Sequence, residues 1–162
     1  MKLRIAPIAL VPWLAAVALL GGAALAQGSS GANSRVSTLT ARDHTITVAQ
    51  ADVNGTIEHV LATPQGRTLY YSTRDSANTS KCTGSCLKLW HPYIVKGGTP
   101  TGPSNLTLFL NTMSGPNGNT QLEISGHPLY TYAKDTRVGQ AKGAGVAGSW
   151  HVATAAIVNE TY

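Results

Sequence analysis

The chain has 162 residues, of which 12 are Lys or Arg and seven are Asp or Glu, and its formal net charge is +5. The basic residues are scattered and form no run, so the composition does not favour a nucleic-acid-binding protein. The few carboxylates are spread along the chain and no G-x-S-x-G motif is present. Hydrolases that need a paired acid and base or a nucleophile elbow are therefore disfavoured.

Residues 1–26 have the layout of a secretory signal peptide. Lys2 and Arg4 precede an apolar run that two prolines interrupt, and the run ends in an A-x-A cleavage pattern. An uncleaved membrane anchor would need about 20 uninterrupted apolar residues. We expect cleavage before Gln27, export to the periplasm or the medium, and no membrane span afterwards. No cysteine follows the predicted cleavage site, so a lipid anchor is not expected.

The chain then predicts a flexible leader followed by strands. Residues 27–43 are small and polar without periodicity, which is typical of a linker. Residues 44–53 alternate polar and apolar side chains and predict a strand. Residues 56–75 predict two further strands, joined by a hairpin turn at Pro64-Gln65-Gly66. A single short helix is expected within residues 86–93, ending at or before His91 because Pro92 follows.

The second half predicts a similar series of elements. Residues 105–113 and 120–125 read as strands on either side of the turn-rich segment 114–119. Residues 127–133 follow as a strand after Gly126, and residues 150–158 form a last strand. We expect one β-rich domain over residues 44–162.

An offset of 60 residues reveals an internal repeat. Shifting residues 66–92 onto 126–152 gives six identities in 27 positions, where about two are expected by chance. The identical pairs are Gly66 with Gly126, Leu69 with Leu129, Tyr70 with Tyr130, Asp75 with Asp135, Trp90 with Trp150 and His91 with His151. The sequence therefore predicts two copies of one unit, about residues 45–105 and 106–162.

Two copies are too few for a solenoid. The expected fold class is mainly β, with two β-hairpin repeats packed about a pseudo-two-fold axis into one domain that has one short helix. Trp90 and Trp150 are the expected large apolar anchors of the two copies.

The only cysteines, Cys82 and Cys86, stand close together in an exported chain. A structural disulfide is expected, with Gly84 bending the chain between them. The loop is so short that the chain-entropy gain is only about 2 kcal/mol. The alternative is a redox-active or metal-binding pair, although the reactive spacing is usually C-x-x-C.

The motif residues resemble a bacterial family described as a secreted repeat of unknown function, or as predicted lipoproteins with a Tyr-x-aromatic-x-x-Asp motif. Tyr130, Tyr132 and Asp135 match the motif fully. Tyr70 and Asp75 match its ends, but Ser72 stands where the family has an aromatic residue.

The resemblance covers roughly residues 45–158, including Cys82, Cys86 and Trp90 in the intervening region. It implies an exported protein of the cell envelope and supplies no catalytic residues. Many relatives carry a lipidated cysteine that this chain lacks. The chain is therefore expected to be lipoprotein-like in its repeat sequence, without a lipid anchor.

The motif tyrosines and aspartates admit two interpretations. Tyr130 and Tyr132 share one face of a strand, where they could form a packed aromatic ladder. Asp75 and Asp135 would then end their strands in side-chain turns. The alternative is an aromatic pocket with an acidic rim that binds a cationic or planar ligand.

His91 and His151 recur beside the repeated tryptophans. They are the candidates for a metal or haem site at the pseudo-two-fold axis, although no metal-ligand motif is present. The leading hypothesis is a non-enzymatic exported module that binds a small ligand or an unknown envelope component and uses no cofactor. The alternative is a redox-linked or metal/haem-linked envelope protein that uses the cysteine pair or the repeated Trp-His positions.

Overall fold

The computed structural model of the chain describes residues 44–160. The signal peptide predicted over residues 1–26 lies outside the described residues, as do residues 27–43 of the predicted leader, so both stay predictions. The strands are β1 Thr47–Val53, β2 Thr56–Ala62, β3 Tyr70–Ser72, β4 Trp90–Pro92, β5 Leu110–Ser114, β6 Thr120–Ile124, β7 His127–Pro128, β8 Tyr130–Tyr132 and β9 Trp150–Val152. Short 3-10 helices span Gly84–Lys88, Thr107–Phe109, Pro116–Gly118, Val146–Gly148 and Ala155–Asn159.

Strands β1 and β2 form an antiparallel hairpin. Its two-residue turn is Asn54-Gly55, and both residues have positive φ angles, 54° and 89°. Asn-Gly is the residue pair that such a turn favours. The Asp52 carboxylate accepts a hydrogen bond from the Gly55 N–H at 2.7 Å, which further fixes the turn.

The two repeats meet in a four-stranded antiparallel sheet with strand order β4-β8-β3-β9. Strands β3 and β8, one from each repeat, pair at its centre through Tyr70 and Tyr130. The outer strands are exchanged, because β4 of the first repeat pairs with β8 and β9 of the second repeat pairs with β3. The predicted mainly β fold with two pseudo-two-fold repeats is confirmed.

A three-stranded antiparallel sheet of order β5-β6-β7 packs beside the central sheet. One face of its central strand contributes Leu122 and Ile124 to the main hydrophobic core. The same core takes Tyr71 of β3 from the central sheet, together with Leu69 and Leu129, which directly precede β3 and β8. The core therefore lies on one face of the central sheet and leaves the opposite face for a second cluster.

The prediction of one short helix over residues 86–93 needs correction. A 3-10 helix forms earlier, over Gly84–Lys88, and Trp90–Pro92 is a strand. Pairing of β4 with β8 explains the difference, because interstrand hydrogen bonds to a distant segment override a local helical preference.

Two predicted strands begin or end in helix. Within residues 105–113, Thr107–Phe109 is a 3-10 helix, and the Thr107 hydroxyl donates to the Pro103 carbonyl at 3.2 Å. Within residues 150–158, the strand stops at Val152, and Thr154 caps the following 3-10 helix by accepting the Ala156 N–H at 3.3 Å. Hydrogen bonds of the threonine hydroxyls to nearby backbone groups thus favour a helical turn over a strand at both places.

Candidate functional site

The aromatic residues of the two motifs gather on the face of the central sheet opposite the main core. Trp90 and Trp150 stack with ring centroids 3.7 Å apart and an interplanar angle of 5°. Tyr70 stands edge-on to Trp90 at 5.3 Å, and Tyr130 stands edge-on to Trp150 at 5.0 Å. The second cluster is therefore pseudo-symmetric, with one tyrosine-tryptophan pair from each repeat.

The motif tyrosines and aspartates form crossed pairs between the repeats. The Tyr130 hydroxyl donates to Asp75 Oδ2 at 2.8 Å, and the Tyr70 hydroxyl donates to Asp135 Oδ2. Each aspartate is nearly fully buried. A tyrosine of one repeat is thus tied to the aspartate of the other.

The second oxygen of each carboxylate is also occupied. Asp75 Oδ1 accepts the backbone N–H of Lys81 at 2.7 Å, and Asp135 Oδ1 accepts that of Lys142 at 2.9 Å. These donors are 61 residues apart, whereas the aspartates are 60 apart. The offset of 60 aligns Lys142 with Cys82. Its backbone N–H nevertheless makes the same contact with Asp135 that the Lys81 N–H makes with Asp75.

The aspartates do not form the side-chain turns expected of them. The Asp75 N–H bonds to the Ser72 carbonyl at 3.2 Å, and the Asp135 N–H bonds to the Tyr132 carbonyl at 3.1 Å. These backbone turns reverse the chain after each strand and leave the carboxylates free to reach the other repeat.

Burial controls the protonation of this network. Desolvation raises the pKa of both Asp75 and Asp135 above the usual aspartate range, although their hydrogen bonds and nearby cations oppose the shift. Desolvation and the facing carboxylates also raise the pKa of the Tyr70 and Tyr130 hydroxyls. The tyrosines therefore stay protonated at neutral pH and act as donors.

A basic residue precedes each motif tyrosine by three positions, and sequence reasoning missed this pair. Arg67 donates to the Asp135 backbone carbonyl at 2.9 Å, and its charge opposes the rise in the pKa of the Asp135 carboxyl that desolvation causes. His127, 60 residues later, opposes the rise in the pKa of Asp75 when its imidazole is protonated, and desolvation lowers the pKa of His127 itself. The offset that revealed the repeat also aligns these two residues.

The two copies differ beside the tryptophan stack. In the second copy Tyr132 stacks on Trp90 with centroids 4.3 Å apart. Ser72 replaces it in the first copy, where a cavity of about 120 Å³ is lined by Ser72, Trp150 and the cysteine pair. The departure from the family motif therefore leaves a small space beside the second tryptophan.

Cys82 and Cys86 form a disulfide whose Cα atoms are 5.3 Å apart. Gly84 between them has a φ of +55°, as expected for a residue that bends the chain there. Cys82 is buried in the aromatic cluster, and Cys86 packs against it. The disulfide thus joins the loop of the first repeat to the tryptophan stack.

His91 and His151 do not converge. They lie on β4 and β9, the two outer strands of the central sheet, so two further strands separate them. Both are exposed, on the face opposite the tryptophans. His151 lies beside Tyr71, with centroids 5.5 Å apart. Within residues 44–160 no group of three or more His, Cys, Asp and Glu side chains could hold a metal ion.

No helix within the described residues is long and apolar enough to cross a membrane. The geometry of the motif residues is that of a buried clamp between repeats. The carboxylates face tyrosines and backbone amides of the protein itself, so they have few positions left for a substrate proton.

The family model described as a secreted repeat of unknown function matches residues 53–93 and 111–154, which together are more than half of the chain. No match was found among curated proteins or among solved structures. The first matched segment contains Tyr70, Asp75 and Trp90, and the second contains Tyr130, Tyr132, Asp135 and Trp150. The chain therefore belongs to the family of secreted repeats of unknown function.

Proposed function

We propose that the protein is a non-enzymatic module of the cell envelope that acts by binding or structural association. The observation that supports this proposal is the crossed pairing of both motif tyrosines with both motif aspartates. A general acid or base must come within hydrogen-bond distance of a substrate proton. Groups that are buried against one another serve instead to join the repeats.

The proposed location is the periplasm or the cell surface. The signal peptide predicted over residues 1–26 supports it. The Cys82–Cys86 disulfide supports it as well, because disulfides persist in oxidising compartments outside the cytosol.

Association and turnover can be separated with envelope fragments isolated from the producing cells. We expect the purified protein to co-sediment with them saturably, in competition with unlabelled protein, and to release no product. A Tyr70→Phe variant should associate in proportion to its folded fraction, because the tyrosine holds the repeats together and does not touch a partner. Absence of saturable association would overturn the proposal, and so would a released product that a folded Asp135→Asn variant no longer forms.

A second candidate function is thiol-disulfide exchange at Cys82–Cys86. The observation that favours it is the cavity beside the disulfide, which two cations, Arg74 and Lys81, line together with Asp75. An incoming thiolate would attack one sulfur to form a mixed disulfide and release the other cysteine as a thiolate, whose charge these cations stabilise.

Equilibration in glutathione redox buffers, followed by alkylation and mass measurement, tests the exchange. A redox-active pair should titrate near the potential of the glutathione pool, whereas a structural pair stays oxidised to below about −300 mV. Metal or haem binding stays a prediction, although His91 and His151 lie on opposite outer strands and do not form one site. Elemental analysis and an absorbance spectrum of protein purified from its source test it.

A further inference from the structure

Strand β5 forms an open edge of the three-stranded sheet. The Ser125 N–H bonds to the Phe109 carbonyl, and the Gly115 N–H bonds to the Asn119 carbonyl. In an antiparallel ladder these bonds recur at every second residue. The backbone groups of Thr112 and Ser114 therefore point away from β6, and no strand of residues 44–160 pairs with them.

This edge lacks the features that usually protect an open strand. Such edges commonly carry a charged residue, a proline or a bulge that prevents pairing with another chain. The β5 sequence, LNTMS, has no charge and no proline, and its register with β6 is continuous over all five residues. By contrast, the outer strand β4 of the central sheet carries Pro92. The edge is a ready template for a further strand.

A groove runs along β5, between it and the loop of the first repeat that leads to the disulfide. It consists of two adjoining cavities of about 270 and 800 Å³, which share Asn78, Met113 and Ser114 as lining residues. Leu108, which is 89% exposed, lies at one end, and Leu87 lies at the other. The groove therefore offers apolar contacts beside the free backbone groups.

The charge in this groove is a single carboxylate, that of Glu123 on β6. Its side chain is 5% exposed, and desolvation raises its pKa. The Asn78 amide faces it, with the nitrogen 2.8 and 2.7 Å from the two carboxylate oxygens in the orientation that satisfies both groups. Among the described residues no Lys or Arg pairs with Glu123, so a buried carboxylate here has a neutral partner only.

We propose that β5 binds an extended segment of a partner protein, which pairs with the open edge as a further strand and places a lysine or arginine beside Glu123. Free main-chain groups provide affinity in this mode of recognition, and pockets for side chains provide selectivity. The inference rests on the proposed binding function and names its site and its class of partner.

Fluorescence anisotropy with labelled seven-residue peptides tests the site. In one peptide threonine and valine alternate around a central lysine, and in the matched peptide the central residue is glutamate. We expect the lysine peptide to bind at least about tenfold more tightly, a difference of about 1.4 kcal/mol.

Two variants with matched controls locate the contact. Thr112→Pro removes an N–H that does not bond to β6, so it should weaken the lysine peptide at least about tenfold while circular dichroism stays unchanged. Thr112→Ala, which keeps the N–H, should bind within about twofold of the unaltered protein.

Glu123→Gln should remove most of the preference for lysine over glutamate, because the carboxylate charge is lost. Ile57→Ala, on the exposed face of the β1–β2 hairpin, should change nothing.

Equal binding of the two peptides, no binding of either, or unchanged binding by both Thr112→Pro and Glu123→Gln would overturn the inference. A dimer in sedimentation experiments that Thr112→Pro dissociates would also overturn it, because the edge would then be covered by a second copy.

If Thr112→Pro and Glu123→Gln associate with envelope fragments as well as the unaltered protein does, the peptide site fails while the proposed function stands. If the unaltered protein does not associate with envelope fragments at all, the proposed function itself fails.

Discussion

At the scale of single residues, the most informative contacts are the two hydrogen bonds that cross between the repeats. Tyr130 donates to Asp75 and Tyr70 donates to Asp135 within a buried aromatic cluster. Charge-assisted hydrogen bonds of this kind are about twice as strong as neutral ones. The motif of the family can thus be understood as a pair of reciprocal clamps.

Removing the hydroxyl of a motif tyrosine should lower the free energy of unfolding more than removing a tyrosine hydroxyl that bonds to a neutral group. We expect Tyr70→Phe and Tyr130→Phe each to lower the free energy of unfolding by about 1.5–3 kcal/mol, because a buried carboxylate loses its donor. The control is Tyr93→Phe, which removes a hydrogen bond to the neutral Thr45 carbonyl and should cost about 1 kcal/mol. Urea denaturation measures all three, and equal losses would contradict the clamp.

The buried carboxyls also predict a pH dependence of stability. Their pKa values are raised above 3.8 in the folded protein, so folding favours the protonated form. The corresponding stability is fully present below the ordinary aspartate pKa and is lost as pH rises through the raised pKa. We expect the free energy of unfolding to fall over that window on account of these two groups.

Asp75→Asn isolates one of the two groups. An asparagine can accept the Lys81 N–H, and its amide can donate to Tyr130, whose own proton can turn to Ser80 Oγ at 2.6 Å. Subtracting the variant's stability curve from that of the unaltered protein cancels titrating groups that do not interact with Asp75, such as Glu123, and leaves the titration of Asp75 with its coupling to His127. A difference curve that rises with pH over this window would contradict the raised pKa of Asp75.

At the scale of elements, the glycine-rich segment 139–149 packs against the aromatic cluster in the copy that has no disulfide. Gly143 passes so close to the aromatic cluster that a Cβ there would lie 2.6 Å from Trp90 and 2.9 Å from Tyr70. Its N–H also donates to the Tyr70 hydroxyl at 3.3 Å. Gly143 of this segment therefore lines the aromatic cluster.

Gly143→Ala should therefore be strongly destabilising. We expect a loss of about 2–3 kcal/mol, because the added methyl group forces two packed rings to move. Gly145→Ala is the matched control, since its φ is +74° but nothing lies within 4 Å of the new Cβ. Backbone strain alone should cost it about 1 kcal/mol. Thermal or urea unfolding distinguishes the two, and a Gly143→Ala loss no larger than that of the control would disprove the contact.

At the scale of the whole molecule, the exchange of outer strands makes the repeats interdependent. The β4 strand of the first repeat has its partner in the second, and the β9 strand has its partner in the first. Both clamps cross the same boundary. Neither repeat can bury its tryptophan or satisfy its aspartate alone.

Separated fragments 44–105 and 106–160 should therefore be unfolded individually. We expect each to show the circular dichroism of a disordered chain, and an equimolar mixture or co-expression to restore β structure and a cooperative transition. Restoration should be weaker with Asp135→Asn in the second fragment than with the surface change Arg137→Gln. A single fragment that folds cooperatively by itself would contradict the interlocked arrangement.

The sequence by itself determined the repeat, the mainly β class and the residues of the clamp, because these depend on local alternation and on a fixed offset. The same reasoning failed for β4, for Thr107–Phe109 and for the end of the last strand, where long-range pairing or local threonine bonds decided the conformation. Only the tertiary structure decided that the aspartates reach the other repeat, that His91 and His151 lie on opposite outer strands, and that β5 is an open edge. Each of these depends on which distant segments come together, and the spacing of residues along one chain carries no direct record of that.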